Sequence, residues 1–204
     1  GLMDHQSLIG AVVLAAGRSS RMGQPKMVLP WGSTTVVGQV VSILNSCAVS
    51  PIVVVTGGAG DLVELALAGA PAVTIRNQNF AASEMLLSLQ IGLGVMPAGL
   101  QACLVCLGDQ PQMEAGVVSR MMRRYQQARC PLIVPSYQMR RGHPWLLDRS
   151  LWSEILAMEP ADTLRKFLAR HENAILYENV DTPSVLKDLD TPEDYQADLP
   201  RPTA

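Results

Sequence analysis

Residues 9–26 read IGAVVLAAGRSSRMGQPK, an apolar, β-branched run that passes directly into a loop of small and basic residues. Small residues let the backbone of such a loop approach a ligand and leave N–H groups free to cradle phosphate oxygens. Arg21 and Lys26 add fixed positive charge, the first as a planar fork and the second as a point charge. We therefore predict a buried strand and a phosphate-binding loop, whose first nucleotide contacts are Leu14, Ala15, Ala16 and Gly17.

The rest of the chain alternates short apolar runs with helical stretches. Strands are predicted over 9–14, 52–56, 73–76, 103–107, 132–135 and 174–180. Helices are predicted over 35–46, 60–69, 84–95, 113–128, 149–158, 162–171 and 192–198. Because the strands are continuously apolar, the sheet should be covered on both faces. The pattern predicts an α/β fold with a Rossmann-like, three-layer, doubly wound and mostly parallel sheet, which binds ligands at the carboxyl ends of its strands.

Length and charge limit the classes of function. The 204 residues suit one domain over 1–204, with frayed ends at 1–6 and 199–204. A net charge of −2 without a basic face argues against a nucleic-acid partner. No apolar run approaches the roughly 20 residues that span a bilayer, and the N-terminus lacks a signal-peptide layout. We therefore expect a cytoplasmic protein that acts on a small ligand and not on a membrane.

Two of the four cysteines, Cys103 and Cys106, have the C-x-x-C spacing of redox and zinc sites. They lie in a predicted strand, where residues three apart point to opposite faces of the sheet. We therefore predict that they are core residues and form neither a disulfide nor a metal site.

Two acidic segments are candidates for a metal site. Residues 108–111, GDQP, follow a predicted strand, and Asp109 either caps a helix or binds Mg²⁺ beside a triphosphate. Mg²⁺ needs only one or two carboxylates in addition to substrate phosphates, which favours the metal hypothesis. Residues 188–195, DLDTPEDY, predict a helix start with Thr191 as its cap and Pro192 in the first turn.

Residues 140–144, RRGHP, follow a strand and combine two arginines with a histidine. The two guanidinium groups could clamp a phosphate of an acceptor. A lone histidine in a loop is more often structural, so both a binding and a structural role stay open for His143.

These motifs together resemble those of the MobA-like nucleotidyltransferases. Residues 14–26 are similar to the family signature LAAGxSxRMGxxK, and the GDxP, GHP and DxDTPED motifs follow in the same order. The loop does not match Walker A, because Gly23 is followed by Gln24, and its glycines are too far apart for GxGxxG. The resemblance runs from the first strand to the last helix and implies the fold of the nucleotide-diphospho-sugar transferases.

The resemblance implies a role for each motif. Asp109 and Asp190 would bind Mg²⁺, with Asp188 as the alternative second ligand. Lys26, Arg21 and Asp109 would be the catalytic residues, and Gly108 would contact the nucleotide. The acceptor would be bound by Arg140, Arg141, Gly142 and His143.

Residues 77–93 resemble an Asn-rich strand end followed by a helix that opens with G-M-x-x-S-L. On this basis Asn77 and Ser88 are predicted nucleotide contacts, and Thr56, at the end of another strand, is a predicted contact of the base or ribose. The chain departs from the family pattern at Glu84, where Gly is usual, and at Leu87, where a second Ser often stands.

Within the family, the sequence is most similar to the cytidylyltransferases of the molybdenum cofactor. This implies attack by a phosphate of molybdopterin on the α-phosphorus of CTP, release of pyrophosphate, and transient contact of the product-loaded enzyme with a molybdoenzyme or its chaperone. Guanylyltransferase relatives carry Gly at the position of Ala16, and the added methyl favours the smaller pyrimidine by ~1–3 kcal/mol.

Three alternatives stay open from the sequence. A guanylyltransferase, or an enzyme for another small phosphorylated acceptor, would share the fold and the metal site. A glycosyltransferase would use residues 188–190 as a DxD motif. A non-catalytic nucleotide sensor or cofactor-delivery module would account for the departures at Glu84 and Leu87.

Overall fold

A central sheet organises the molecule, and the computed structural model describes residues 8–17, 25–79 and 85–200. In chain order the strands are β1 (Ile9–Ala15), β2 (Pro30–Trp31), β3 (Thr34–Thr35), β4 (Ile52–Thr56), β5 (Val73–Arg76), β6 (Ala102–Leu107), β7 (Leu132–Tyr137), β8 (Arg140–Arg141), β9 (Trp145–Asp148) and β10 (Ile175–Asn179). The helices are α1 (Val36–Ser46), α2 (Gly60–Ala66), α3 (Met85–Gly94), α4 (Ala115–Ala128), α5 (Trp152–Ala157), α6 (Leu164–Arg170) and α7 (Pro192–Asp198). Single 3-10 turns cover Lys26–Val28, Arg149–Leu151, Glu172–Ala174 and Pro183–Leu186.

Eight of the described strands form one mixed, mostly parallel sheet in the order β10-β7-β9-β6-β1-β4-β5, with β8 paired to β7. Strand β1 pairs in parallel with β4 on one side and β6 on the other. The carboxyl ends of these strands therefore lie at one edge, as the sequence predicted. Strands β2 and β3 form a separate two-stranded hairpin.

The sequence prediction missed four short strands, β2, β3, β8 and β9, and β9 is the one that lies inside the main sheet. Strand β9 is antiparallel to both neighbours and lies between β6 and β7, directly after the predicted connection of residues 140–144. Its four residues are apolar except for the last, and Trp145, Leu146 and Leu147 are buried. So short an apolar run carries no period of its own, and only its two neighbours in the sheet make it a strand.

The sheet is covered on both faces, which confirms the three-layer prediction. Along β1, Val13 packs into a core with α1, α2 and α4, whereas Val12 packs into a second core with α3, α5 and α6. All seven residues of β1 are buried. The continuous apolar run therefore reflects two buried faces.

The two cysteines of the C-x-x-C spacing lie in separate cores, as predicted. Cys103 packs on the α3 face of β6 and Cys106 on the α4 face, and both are free thiols. Burial raises the pKa of Cys103 to about 12 and that of Cys106 further still, so neither supplies a thiolate at neutral pH.

The helix predictions hold, with changes at the ends. Helix α2 stops at Ala66, three residues earlier than predicted, and Gly69 follows in the left-handed region with φ +80°. The predicted helix over 149–158 divides into a 3-10 turn and α5. Thr191 caps α7 in a capping box with Asp194, as the sequence indicated. In the described ranges, no helix is both long enough and apolar enough to cross a bilayer.

Gly92 sets how closely α3 approaches the sheet. A Cβ at this position would lie 2.5 Å from Cγ1 and 2.9 Å from Cγ2 of the buried Val12. We expect Gly92→Ala to lower the free energy of unfolding by about 1–3 kcal/mol, because crowding a packed core outweighs the better helix propensity of alanine. Urea unfolding measures this change.

The matched control is Gly94→Ala in the same helix, where the added Cβ meets no atom within 4 Å. This variant should be as stable as the wild type or slightly more stable. Equal stability of the two variants would contradict the close packing of α3 on β1.

Candidate active site

A cleft of about 440 Å³ opens at the carboxyl ends of β1 and β6. Eleven of the residues predicted from sequence line it: Leu14, Ala16, Gly17, Lys26, Ser88, Asp109, Arg140, Arg141, Gly142, His143 and the alternative metal ligand Asp188. They come from separate segments of the chain, which only the folded sheet brings together.

Lys26 is the charged centre of the cleft. It begins the 3-10 turn after the first loop, and the residue is only 7% exposed. Its Nζ donates to Asp109 Oδ2 at 2.8 Å and lies 3.6 Å from Asp190 Oδ1. A buried ammonium needs such partners, because its desolvation is costly when it is unpaired.

A third carboxylate, Asp188, lies on the cleft wall. Gln110 Nε2 donates to its Oδ1 at 2.6 Å. Burial, followed by the nearby charge of Asp109, raises the pKa of Asp188 to about 6. Asp188 thus lines the cleft, whereas the Asp190 side chain is 53% exposed and reaches the site through its ion pair with Lys26.

The strand pairings explain why the carboxylates converge. Asp109 follows β6 directly, and the backbone N–H of Gly108 donates to the Leu14 carbonyl at 2.9 Å, which extends the β1–β6 ladder by one step. The Leu189 N–H donates to the Asp109 carbonyl at 3.1 Å. Residues 188–190 are therefore attached to the turn that carries Asp109.

The candidate acceptor wall is a hairpin formed by β7 and β8. Its turn residues Gln138 and Met139 both have positive φ, and Arg140 and Arg141 bring positive charge to the cleft. Arg141 lies 3.7 Å from Glu172. Because a Cβ on Gly142 would overlap the Val185 carbonyl, a residue without a side chain is required there.

His143 is held in a neutral form. Its ring stacks on Trp145 with centroids 5.0 Å apart and planes 13° apart, and its backbone N–H donates to the Val185 carbonyl at 3.0 Å. Burial lowers the pKa of His143 to about 4. The ring therefore carries no charge at neutral pH.

Several predicted contacts lie off the cleft wall. Thr56 is fully buried, and its Oγ1 donates to the Ile75 carbonyl at 3.4 Å. Asn77 is buried behind Ser88, whose Oγ accepts from Asn77 Nδ2 at 3.2 Å. Ala15 and Gly108 pack against each other at the ends of β1 and β6, where a Cβ on Gly108 would lie 3.2 Å from the Cβ of Ala15.

Two residues of the sequence analysis, Arg21 and Glu84, lie outside the described residues. Leu87 is half-buried on α3 and does not line the cleft.

Sequence reasoning gave no role to some residues of the wall, chief among them Gln110. This residue stands inside the GDQP motif, and its side chain is 3% exposed. Its hydrogen-bond partner Asp188 is 78 residues away in the chain, so no local pattern reveals the pairing. The other unassigned residues of the cleft are Met27, Met85, Leu107, Val185 and Leu186.

The sequence of this chain matches a known protein family. The sequence profile of the MobA-like NTP transferase domain matches residues 11–175, which is most of the chain. This protein belongs to the MobA-like NTP transferase family. The family is one of nucleotidyltransferases, and the fold and the enzyme class expected from the sequence are thereby confirmed.

Individual relatives of this MobA-like protein support the same assignment. The molybdenum cofactor cytidylyltransferase of Escherichia coli K12 is 25% identical over 190 residues, which cover 93% of this chain and 94% of the relative. The crystal structure of Rv0371c from Mycobacterium tuberculosis is 26% identical, has a TM-score of 0.81, and covers 94% of this chain and 97% of its own. A second structure of Rv0371c, in complex with manganese, is 27% identical with a TM-score of 0.75 and covers 94% and 97% of the two chains.

The half-buried His143 of this MobA-like chain predicts a pH dependence of stability. In the unfolded chain His143 binds a proton below pH ~6.5, whereas in the folded protein it stays neutral until about pH 4. Because only the unfolded chain binds this proton, the free energy of unfolding falls as the pH falls from ~6.5 toward 4. Between pH 7.5 and pH 5, we expect the free energy of unfolding of His143→Gln to fall by about 1–2 kcal/mol less than that of the wild type.

Urea titrations of both proteins at the two pH values provide the measurement. Any loss of packing in the variant is the same at both pH values and cancels in the difference. If the two proteins lose equal stability between pH 7.5 and pH 5, His143 does not have the lowered pKa.

Proposed function

We propose that this protein transfers CMP from CTP to a phosphate of molybdopterin, with release of pyrophosphate and with Mg²⁺ as cofactor. The observation that carries the proposal is Lys26, which lies between Asp109 and Asp190 at the end of a loop of small residues. The similarity to the Escherichia coli enzyme, which extends over nearly the whole chain, supports the choice of CTP and molybdopterin.

The reaction exchanges one phosphorus–oxygen bond for another. An oxygen of the acceptor phosphate bonds to the α-phosphorus of CTP, while the bond from this phosphorus to the oxygen that bridges to the β-phosphate breaks. A phosphate monoester is already ionised at neutral pH, since its second pKa is about 6, so no protein base is needed. With a pKa of about 4, the His143 ring is too weak a base to hold a proton at neutral pH, and no proton transfer is assigned to it. Alignment of the reactants and stabilisation of charge remain for the protein to supply.

The nucleotide would occupy the wall formed by the first loop. The backbone from Leu14 to Gly17 would approach the triphosphate, and Lys26 would place its charge against the transferred phosphate. We assign the same electrostatic role to Arg21. Ser88 would contact the nucleotide from α3, where the hydrogen bond from Asn77 fixes its hydroxyl group. Thr56 and Gly108 would not line the cleft themselves but would pack behind the residues that do.

The acceptor would bind against the β7–β8 hairpin. Arg140 and Arg141 would pair with its phosphate, since a guanidinium fork matches phosphate oxygens in both geometry and charge. Gly142 and the neutral ring of His143 would form the surface beneath the acceptor. In this arrangement Arg140 and Arg141 carry the positive charge that binds the acceptor, whereas Lys26 carries the positive charge that binds the nucleotide.

The residues present fit a divalent cation. Asp109 and Asp190 lie within 3.6 Å of the Lys26 ammonium and Asp188 lines the same cleft, so these four groups sum to two negative charges when all are ionised. Carboxylate oxygens are the ligands that Mg²⁺ prefers, and it uses few of them when substrate phosphates complete its shell. In the described part of the chain, no three acidic, His or Cys side chains lie close enough together to hold a metal ion by themselves. Phosphates of the substrate would therefore have to complete the coordination shell. Bound by Asp109 and Asp190, Mg²⁺ would supply positive charge to the triphosphate and to the leaving pyrophosphate.

Ala16 supports the choice of a pyrimidine base. The residue lines the cleft and is only 8% exposed, so its methyl group is fixed in place. A fixed methyl narrows the room for a base and favours cytosine over guanine by ~1–3 kcal/mol.

The metal and charge assignments are tested by Asp109→Asn. The substitution keeps the shape of the side chain and an oxygen for Lys26 but removes the negative charge. We expect kcat/KM for pyrophosphate release to fall by at least ~100-fold, which corresponds to ~2.7 kcal/mol. A coupled assay with CTP, molybdopterin and Mg²⁺ measures the rate.

The matched control is Asp198→Asn, which removes the partner of another lysine, Lys187, at 3.4 Å. This pair lies outside the cleft, so the control should keep its rate within about twofold, because a weak surface ion pair contributes at most ~1 kcal/mol to stability. Wild-type activity of Asp109→Asn would remove Asp109 from the catalytic site.

Thermal shift with single nucleotides tests the substrate without the acceptor. With Mg²⁺ present, a nucleotide at ~100 times its Kd adds about 2.7 kcal/mol of stability, or roughly 5–11 °C in Tm for a chain of this size. We expect CTP to give the largest shift among CTP, GTP, ATP and UTP. A larger shift with GTP would assign the chain to the guanylyltransferases instead.

A further inference from the structure

The side chain of Gln110 joins two walls of the cleft. Its Nε2 donates to Asp188 Oδ1 at 2.6 Å and makes a longer contact of 3.5 Å with the Val185 carbonyl. The same carbonyl accepts the N–H of His143 at 3.0 Å. One amide therefore connects the turn that carries Asp109 to the segment 185–188. Through Val185 it also connects to residues 142–144, which follow β8 on the candidate acceptor side and are called the acceptor loop below.

The position of Gln110 is fixed at its backbone. Its N–H donates to the Leu107 carbonyl at 3.2 Å, and its carbonyl accepts the N–H of Met113 at 3.1 Å. Both bonds hold the turn after β6, and the side chain is almost fully buried. Because the amide cannot swing away within this packing, Asp188 and Val185 are placed relative to β6.

The second anchor of the segment is close packing at Gly142. A Cβ on this residue would overlap the Val185 carbonyl, so the segment lies directly against the acceptor loop without any space between them. A shift of Val185 would therefore move Gly142 and His143 as well. The contacts of Gln110 thus control the placement of residues that lie on the candidate acceptor side.

We infer that Gln110 is a positioning residue for nucleotidyl transfer, whose amide holds residues 185–188 in place so that Asp188 and His143 face the acceptor correctly. The inference rests on the proposed function and assigns a role to a side chain that the motif analysis left without one. The hydrogen bond itself is the functional element, and it requires a donor on one partner and an acceptor on the other.

The first test is Gln110→Met, which keeps the length of the side chain and removes both N–H donors. We expect kcat for CMP transfer to fall at least ~10-fold and the KM for molybdopterin to rise, because small displacements of a reacting group have large effects on rate. The KM for CTP should stay within about threefold, since in the described part of the chain the Gln110 side chain donates to Asp188 and to the Val185 carbonyl and not to the first loop. A loss that is only structural would lower Tm and leave the kinetic constants of the folded enzyme unchanged.

The matched control is Gln112→Met, two residues further along the same turn. Gln112 lines a different hollow, beside Trp31 and Lys187, and within the described residues its buried Oε1 has no hydrogen-bond partner. Removing that amide leaves no donor or acceptor behind, so the control should match the wild type in kcat and in both KM values.

A reciprocal exchange tests the hydrogen bond directly. Gln110→Glu places two carboxylates together and should be at least as impaired as Gln110→Met. Adding Asp188→Asn restores a donor and an acceptor in reversed order, and the double variant should recover at least ~threefold in kcat relative to Gln110→Glu alone. The inference is overturned if Gln110→Met keeps the wild-type kcat, if Gln112→Met is equally impaired, or if the exchange recovers nothing.

Hydrogen–deuterium exchange separates failure of this inference from failure of the proposed function. If the wild type transfers no CMP to molybdopterin, the proposed function is wrong, and the positioning role is then judged from the amides of His143 and Leu189. Gln110→Met should speed exchange at these amides while Gln112→Met should not. Unchanged exchange in Gln110→Met would rule out the positioning role.

Discussion

The parallel pairing of β1 with β6 is the constraint on which the site depends. It aligns Leu14 with Leu107, and the Gly108 N–H adds one further bond to the Leu14 carbonyl. The loop after β1 and the turn after β6 must then leave the sheet side by side. Lys26 and Asp109 meet at 2.8 Å for this reason, although 83 residues separate them in the chain. Because β1 is buried on both faces, a one-residue shift in this register would exchange the side chains of the two cores and disrupt the packing of both.

The electrostatics of the cleft follow from this enforced proximity. A buried ammonium is stable only beside carboxylates, yet three carboxylates exceed what one lysine neutralises. The raised pKa of Asp188 and the lowered pKa of His143 are both caused first by burial, which disfavours the charged form of either group. The group around Lys26 therefore has excess negative charge, whereas Arg140 and Arg141 bring positive charge to the side of the cleft that carries the neutral His143 ring. Such a site is suited to bind a divalent cation together with the phosphates of a substrate.

Membership in the MobA-like NTP transferase family explains the fold and the class of reaction, and the cleft explains how one scaffold could join two phosphorylated substrates. The first loop and the β7–β8 hairpin carry separate positive charges on the same cleft. Residues 185–188 lie between the turn of Asp109 and the acceptor loop, attached to both through Gln110 and Val185. The match to the family profile ends at residue 175, so the segment that completes the site lies beyond the matched part of the chain.

The sequence by itself determined the order of six strands and seven helices, the burial of both faces of the sheet, and the family, because these depend on local composition and on motifs contiguous in the chain. It also named most of the residues that line the cleft, since in a parallel sheet the loops after neighbouring strands meet at one edge. Only the tertiary structure showed that β9 is an antiparallel strand, that Thr56 and Asn77 lie behind the wall, and that Gln110 binds Asp188. Each of these depends on contacts between residues far apart in the chain. Local patterns do not encode such contacts, whereas the packing of the sheet decides them.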